Sequence, residues 1–150
     1  MNDYDIYLRH ASVRDGDWVG FVLGWRGLAG KDGLPQRPHM RWRPWIPDVT
    51  DPTDPALGHA GKWQWRFDVA MLDGMAGLLW IPPADGRSSA DMRVDLLAYI
   101  DLPALELKDA DDAVYIARAT AYQEQCIEQY TPTHADGGWL AQISFVETTV

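Results

Sequence analysis

Residues 62–71, KWQWRFDVAM, alternate without a fault between large apolar and polar side chains. Trp63, Trp65, Phe67, Val69 and Met71 fall on one side; Lys62, Gln64, Arg66, Asp68 and Ala70 fall on the other. Side chains of an extended chain point to opposite faces with period two, so this stretch suits a strand with one dry face and one wet face. The expected fate of the aromatic row is burial against a second layer. The alternative is an open platform of flat indoles for stacking on sugar rings. That would leave Phe67, Val69 and Met71 in water as well, a large apolar patch, so burial is the preferred reading.

The rest of the chain is punctuated in the same style. Asp-Gly occurs five times, beginning at Asp15, Asp32, Asp73, Asp85 and Asp136. Both residues tolerate the positive φ that tight hairpin turns require. YDIYLRHASV and WVGFVLGW flank the first of these turns and read as a hairpin. KWQWRFDVAML reads as pairing across Asp73-Gly74 with MAGLLWIPP, and ADMRVDLLAYI as a further strand after Asp85-Gly86, on the alternation of Met92, Val94, Leu96, Ala98 and Ile100. Leu105 and Leu107 mark a short strand before the acidic turn KDADD. Residues 114–122 read as strand, with 123–130 open between helix and strand. WLAQISFVE closes the series, with Trp139, Ala141, Ile143 and Phe145 on one face. Short strands separated by frequent turn signals predict a mainly β protein, an antiparallel β-sandwich or split barrel with at most one short helix. Residues 1–150 are expected to form a single domain. Residues 27–61 hold most of the prolines and are expected to form a long loop or arm, because proline removes ladder donors.

The net charge of −9 opposes nucleic-acid binding and anionic membrane surfaces. It is unevenly spread. Residues 26–45 carry Arg26, Lys31, Arg37, Arg41 and Arg43 against Asp32, whereas residues 101–150 carry nine acids against Lys108 and Arg118. Opposite charge in two parts of one chain favours head-to-tail association of copies. The first residues lack a signal-peptide pattern, and no apolar run is long enough to span a membrane, so a protein made and kept in the cytoplasm is expected.

No catalytic signature is present. The four serines, at 12, 88, 89 and 144, lie outside any nucleophile motif, and the single cysteine, Cys126, has no flanking motif. The four histidines are far apart, and Asp48, Asp51 and Asp54 lie in a proline-interrupted run that no EF-hand tolerates. The acidic turn Asp109, Asp111 and Asp112 reads as a solvated turn rather than a calcium loop. No metal and no cofactor are therefore expected. RPHMRWRPWIP, residues 37–47, is the strongest candidate for function. It interleaves Arg37, Arg41 and Arg43 with Trp42 and Trp45, and Arg and Trp are the residues enriched at protein–protein hot spots. Asp109, Asp111 and Asp112 are candidate counterparts on a neighbouring subunit.

The sequence VYIARATAY, followed by a polar stretch and GGWLAQISFVE, resembles the C-terminal part of small tail proteins of long-tailed bacteriophages, the distal-tail and minor-tail group. GLLWIPP, residues 77–83, is similar to an aromatic-plus-proline segment in some of them. The resemblance implies a β-rich split barrel that assembles into a ring at the tail tip or baseplate. Its partners would be copies of itself and other virion proteins; it would be made in the host cytoplasm and incorporated in the virion. It implies no catalytic residues. A carbohydrate- or receptor-binding β-sandwich and an acidic immunity or inhibitor protein are the competing readings.

Overall fold

A computed structural model of the protein describes residues 4–23, 39–72, 87–109, 111–127 and 138–148. The elements are strands β1 (Ile6–Arg9), β2 (Val19–Leu23), β3 (His39–Trp42), β4 (Trp45–Ile46), β5 (His59–Ala60) and β6 (Gln64–Leu72), helix α1 (Ser89–Leu97), and strands β7 (Leu105–Lys108), β8 (Val114–Ile127) and β9 (Gly138–Glu147). The protein is mainly β, as its alternation predicts.

The main sheet has seven strands in the order β2-β1-β7-β8-β9-β6-β3, and β2 also pairs with β6. That extra pairing closes β2, β1, β7, β8, β9 and β6 into a ring, every pair of which is antiparallel. Strand β6 makes the closure possible because it is long. One edge pairs with β9 from Gln64 to Leu72. The other is shared: Val69 and Ala70 face β2, and Gln64–Phe67 face β3. The architecture is thus a small closed barrel, and β3 pairs with the part of the β6 edge that β2 leaves free.

The aromatic row of residues 63–71 points inward, with Trp63 half-buried at its end. Trp65, Phe67, Val69 and Met71 are buried in one cluster with Ile6, Leu8, Phe21, Leu107, Ile143 and Phe145. Their neighbours Arg66 and Asp68 are outside it, as period two demands. Burial of Trp65 and Phe67 rules out the sugar platform for this row. Removing each such aromatic side chain from water contributes about 1.5–3 kcal/mol.

Residues 89–97 depart from the sequence reading, which has ADMRVDLLAYI as a strand. They form α1. The Ser88 hydroxyl accepts the Asp91 N–H at 3.1 Å and the Asp91 carboxylate accepts the Ser88 N–H at 3.3 Å, a reciprocal capping box. Buried positions are Ser89, Met92, Asp95 and Leu96, a helical spacing, while Val94 is exposed. The apparent alternation of Met92, Val94 and Leu96 is a coincidence that the cap overrides. α1 packs on β6 and β9. Tyr99, just beyond it, is fully buried and donates its hydroxyl to the Leu8 carbonyl at 3.3 Å.

Asp95 anchors this helix. Its buried carboxylate accepts from Arg14 Nε and Nη2 at 2.9 and 3.1 Å and from Arg87 Nη1 at 2.9 Å. Arg87 also donates to the Gly20 carbonyl, joining α1 to β2. The β1–β2 connection is wider than a two-residue turn. Arg14, Asp15 and Gly16 all have positive φ there, 50°, 56° and 82°, which is the conformation that Asp-Gly accommodates.

Strand β8 runs to Ile127, so the first part of the open segment 123–130 is strand; 128–130 lie outside the described residues. So do the turns at Asp32, Asp73, Asp85 and Asp136 and the return strand MAGLLWIPP. Among the described residues β6 pairs with β2, β3 and β9.

Candidate functional site

Residues 39–61, the described part of the proline-rich segment, hold three short strands, β3, β4 and β5, within otherwise irregular chain. Pro44 sits between β3 and β4, and Pro47 follows β4, so the missing N–H groups fall where ladders end. β3 docks on β6, with Met40 opposite Arg66 and Trp42 opposite Gln64. β4 and β5 form a separate two-stranded sheet, Trp45 opposite Ala60 and Ile46 opposite His59.

The turn between them is held by its own acids. Asp48 accepts the Thr50 N–H at 2.7 Å, and the Thr50 hydroxyl as well. These bonds, that of the Thr50 hydroxyl first, hold the Asp48 carboxyl below its ordinary value. Asp54 accepts the Ala56 N–H at 3.0 Å. A side chain at Gly58 would meet the Trp45 indole and the Ile46 carbonyl, so the absence of one lets β4 lie close. Asp48, Asp51 and Asp54 thus serve the turn. No group of three metal-ligating side chains occurs among the described residues.

The candidate residues divide into two groups. Arg41 alternates with Met40 and Trp42 and lies opposite Trp65, so it turns toward the barrel mouth. There its Nη1 is 2.9 Å from Asp109 Oδ2 and 3.6 Å from Asp111 Oδ2, and it donates to the Tyr115 hydroxyl at 3.3 Å. Its guanidinium carbon also lies 4.6 Å from the Trp63 ring centre, and that of Arg43 lies 4.5 Å from it. Asp109 is buried, and its second oxygen accepts the Asp111 N–H at 3.0 Å. Asp112, with φ 63°, completes the turn between β7 and β8. The pairing of Arg41 with this acidic turn, expected between subunits, is therefore found within one chain. The reason is topological: β3 and the β7–β8 turn meet at one end of the barrel, and Arg41 ties them together across Trp63.

Trp42 and Trp45 form the second group. They are 39% and 52% exposed. Met40, Ile46, Val49 and Leu57 are exposed beside them in sequence, so the segment 40–57 carries most of the exposed large apolar side chains among the described residues. Arg37 lies outside the described residues. Sequence reasoning passed over Met40, Ile46, Val49 and Leu57, because single exposed aliphatics are ordinary; only their grouping on one segment sets them apart.

A third cluster was not foreseen. Arg93 on α1 makes a bidentate pair with Glu124 on β8, at 2.7–3.0 Å, and Tyr122 donates to the same carboxylate at 2.7 Å. The Arg93 bonds and then that of Tyr122 hold the Glu124 carboxyl below its usual range. Arg93 Nε and Nη2, the Tyr122 hydroxyl and both Glu124 carboxylate oxygens are engaged with one another, which describes a brace between helix and sheet.

No helix among the described residues is long and apolar enough to cross a membrane. No known protein family, curated protein or solved structure matches this chain.

Proposed function

We propose that the protein is a non-catalytic assembly component that joins copies of itself through the segment 40–57. One observation carries this reading: exposed Met40, Trp42, Trp45 and Ile46 are displayed on paired strands, with exposed Val49 in the turn beyond them. A pre-ordered apolar surface loses little conformational freedom on binding, and Trp is the residue most enriched at binding hot spots. The setting that the C-terminal resemblance suggests is a ring in the tail or baseplate of a long-tailed bacteriophage, with other virion proteins as further partners. The closed barrel with a strand-built projection is in keeping with that setting.

The test is Trp42→Ala with Trp45→Ala. Both side chains are exposed, so the variant should keep the circular dichroism and, within about 1 kcal/mol, the stability of the parent. Analytical ultracentrifugation and native mass spectrometry should find oligomers of the parent and monomers of the variant. A parent that stays monomeric at high micromolar concentration, or a variant that assembles like it, would defeat the proposal.

A further inference from the structure

The barrel carries unpaired charge of opposite sign at two places, and we infer that these are the two halves of a head-to-tail contact between copies of the chain. The inference rests on the self-assembly reading above and names the surfaces that meet.

The first surface is the outer wall of β3, β6, β9 and β8. Arg66 lies between buried Trp65 and Phe67, and Arg118 follows buried Ala117, so both side chains point away from the core. Arg66 is opposite Ser144, and Arg118 is opposite Val146, on the one strand between them. Strand spacing and residue rise put their Cα atoms roughly 12 Å apart on that wall. Met40 and Trp42 continue the same two rows on β3, opposite Arg66 and Gln64. Both arginines are exposed, and among the described residues neither has a hydrogen bond, ion pair or ring contact; the same is true of Lys62 at the foot of β6. Arg9, Arg14, Arg41 and Arg93 by contrast have carboxylate partners within the chain, and exposed Arg43 lies over the Trp63 ring.

The second surface is the far end of the barrel. β1 runs toward that end and β7 away from it, with Arg9 opposite Glu106. The β1–β2 connection and the α1–β7 connection therefore emerge together. They carry Asp17 and Asp101, both exposed and neither with a side-chain partner among the described residues, and Asp15 is in the same condition. β6 and β8 start at the opposite end, because β6 and β8 both run antiparallel to β9 and β8 runs antiparallel to β7. Lys62 lies at that start, and Arg66 and Arg118 are within the first few residues of their strands.

A chain of net charge −9 repels its copies in most orientations. The orientation that sets the arginine wall of one copy against the aspartate end of the next replaces repulsion with attraction, and Met40 and Trp42 supply apolar area beside it. Such a contact uses different surfaces on the two copies, so it propagates to a closed ring or an open filament rather than stopping at a two-fold dimer.

Charge exchange tests this directly. One variant carries Arg66→Glu and Arg118→Glu, the other Asp17→Arg and Asp101→Arg; all four sites are exposed, and thermal melts establish that each variant folds. In sedimentation velocity each alone should associate at least tenfold more weakly than the parent. An equimolar mixture should recover assembly, because every contact between unlike variants again pairs opposite charges. Raising the salt concentration should weaken the parent assembly by screening. Variants that assemble alone like the parent, or a mixture that remains monomeric, would overturn the inference. If the charge variants behave like the parent while Trp45→Ala dissociates it, the head-to-tail contact fails and assembly through 40–57 stands. If the parent never associates, both fail.

Discussion

Arg41→Ala should unlatch the edge strand from the barrel mouth, and its cost can be worked from the contacts. Arg41 is 31% exposed along its side chain, and its partner Asp109 is 6% exposed. Truncating one member of a fully buried pair costs about 3–5 kcal/mol, because a desolvated charge is left behind. Water reaches Arg41, and the Asp111 N–H still serves Asp109, so about 2 kcal/mol is the appropriate share. Loss of one of the two guanidinium contacts on Trp63 adds about 0.5–1 kcal/mol. The sum, about 3 kcal/mol, would lower the midpoint of thermal unfolding by roughly 6–12 °C for a chain of this length. Urea titrations followed by tryptophan fluorescence provide the assay, with Asp109→Asn and the double variant completing a cycle. A coupling of about 1–2 kcal/mol is expected between the two sites. Arg41→Lys should restore part of the loss, since it keeps the charge but not the planar fork. If Arg41→Ala lies within 0.5 kcal/mol of the parent, or the cycle returns no coupling, the latch is ornamental and the reasoning fails.

Three further outcomes follow from the packing. Ser88→Ala removes one half of the capping box and should destabilise the protein by about 1 kcal/mol, whereas Ser88→Asp should be close to neutral in the same urea titration. Burial pushes the Tyr99 phenol up to about 12; its stabilising share is complete below the unfolded value near 10 and is lost as pH rises through the folded one. Burial also raises the Tyr122 phenol, so ultraviolet titration should show one fewer phenol resisting ionisation beyond pH 11 in Tyr99→Phe than in the parent. The Glu124 carboxyl is depressed by Arg93, so its contribution is complete above the ordinary carboxylate value and fades as pH falls through the folded one. Stability curves of the parent and Glu124→Gln should run apart at neutral pH and converge in acid; parallel curves would remove the brace from the account.

The sheet was legible wherever one face is dry and the other wet. Residues 62–71 and 139–147 declare themselves because buried Trp65, Phe67 and Ile143 are each flanked by polar neighbours, and no local signal competes. Residues 89–97 misread because Met92, Val94 and Leu96 imitate a strand; the decisive signal was the Ser88–Asp91 cap, a polar motif easily passed over beside an apolar pattern. The arm was legible in its composition and not in its conformation, since prolines mark where a ladder stops but say nothing of what it pairs with before stopping. For the same reason Arg41 could be singled out but not assigned its partner. Its carboxylate lies 68 residues away, and only closure of the sheet brings the two together.

Strand β6 is held by three other strands at once, β9 along one edge and β2 and β3 in succession along the other. Losing or gaining a single residue within it would turn Trp65, Phe67, Val69 and Met71 outward in every one of those ladders together. Evolution can therefore lengthen or trim this molecule at the tip between Pro47 and Gly58, where the turn is closed by its own side chains, but must leave the stave that closes the barrel at fixed length.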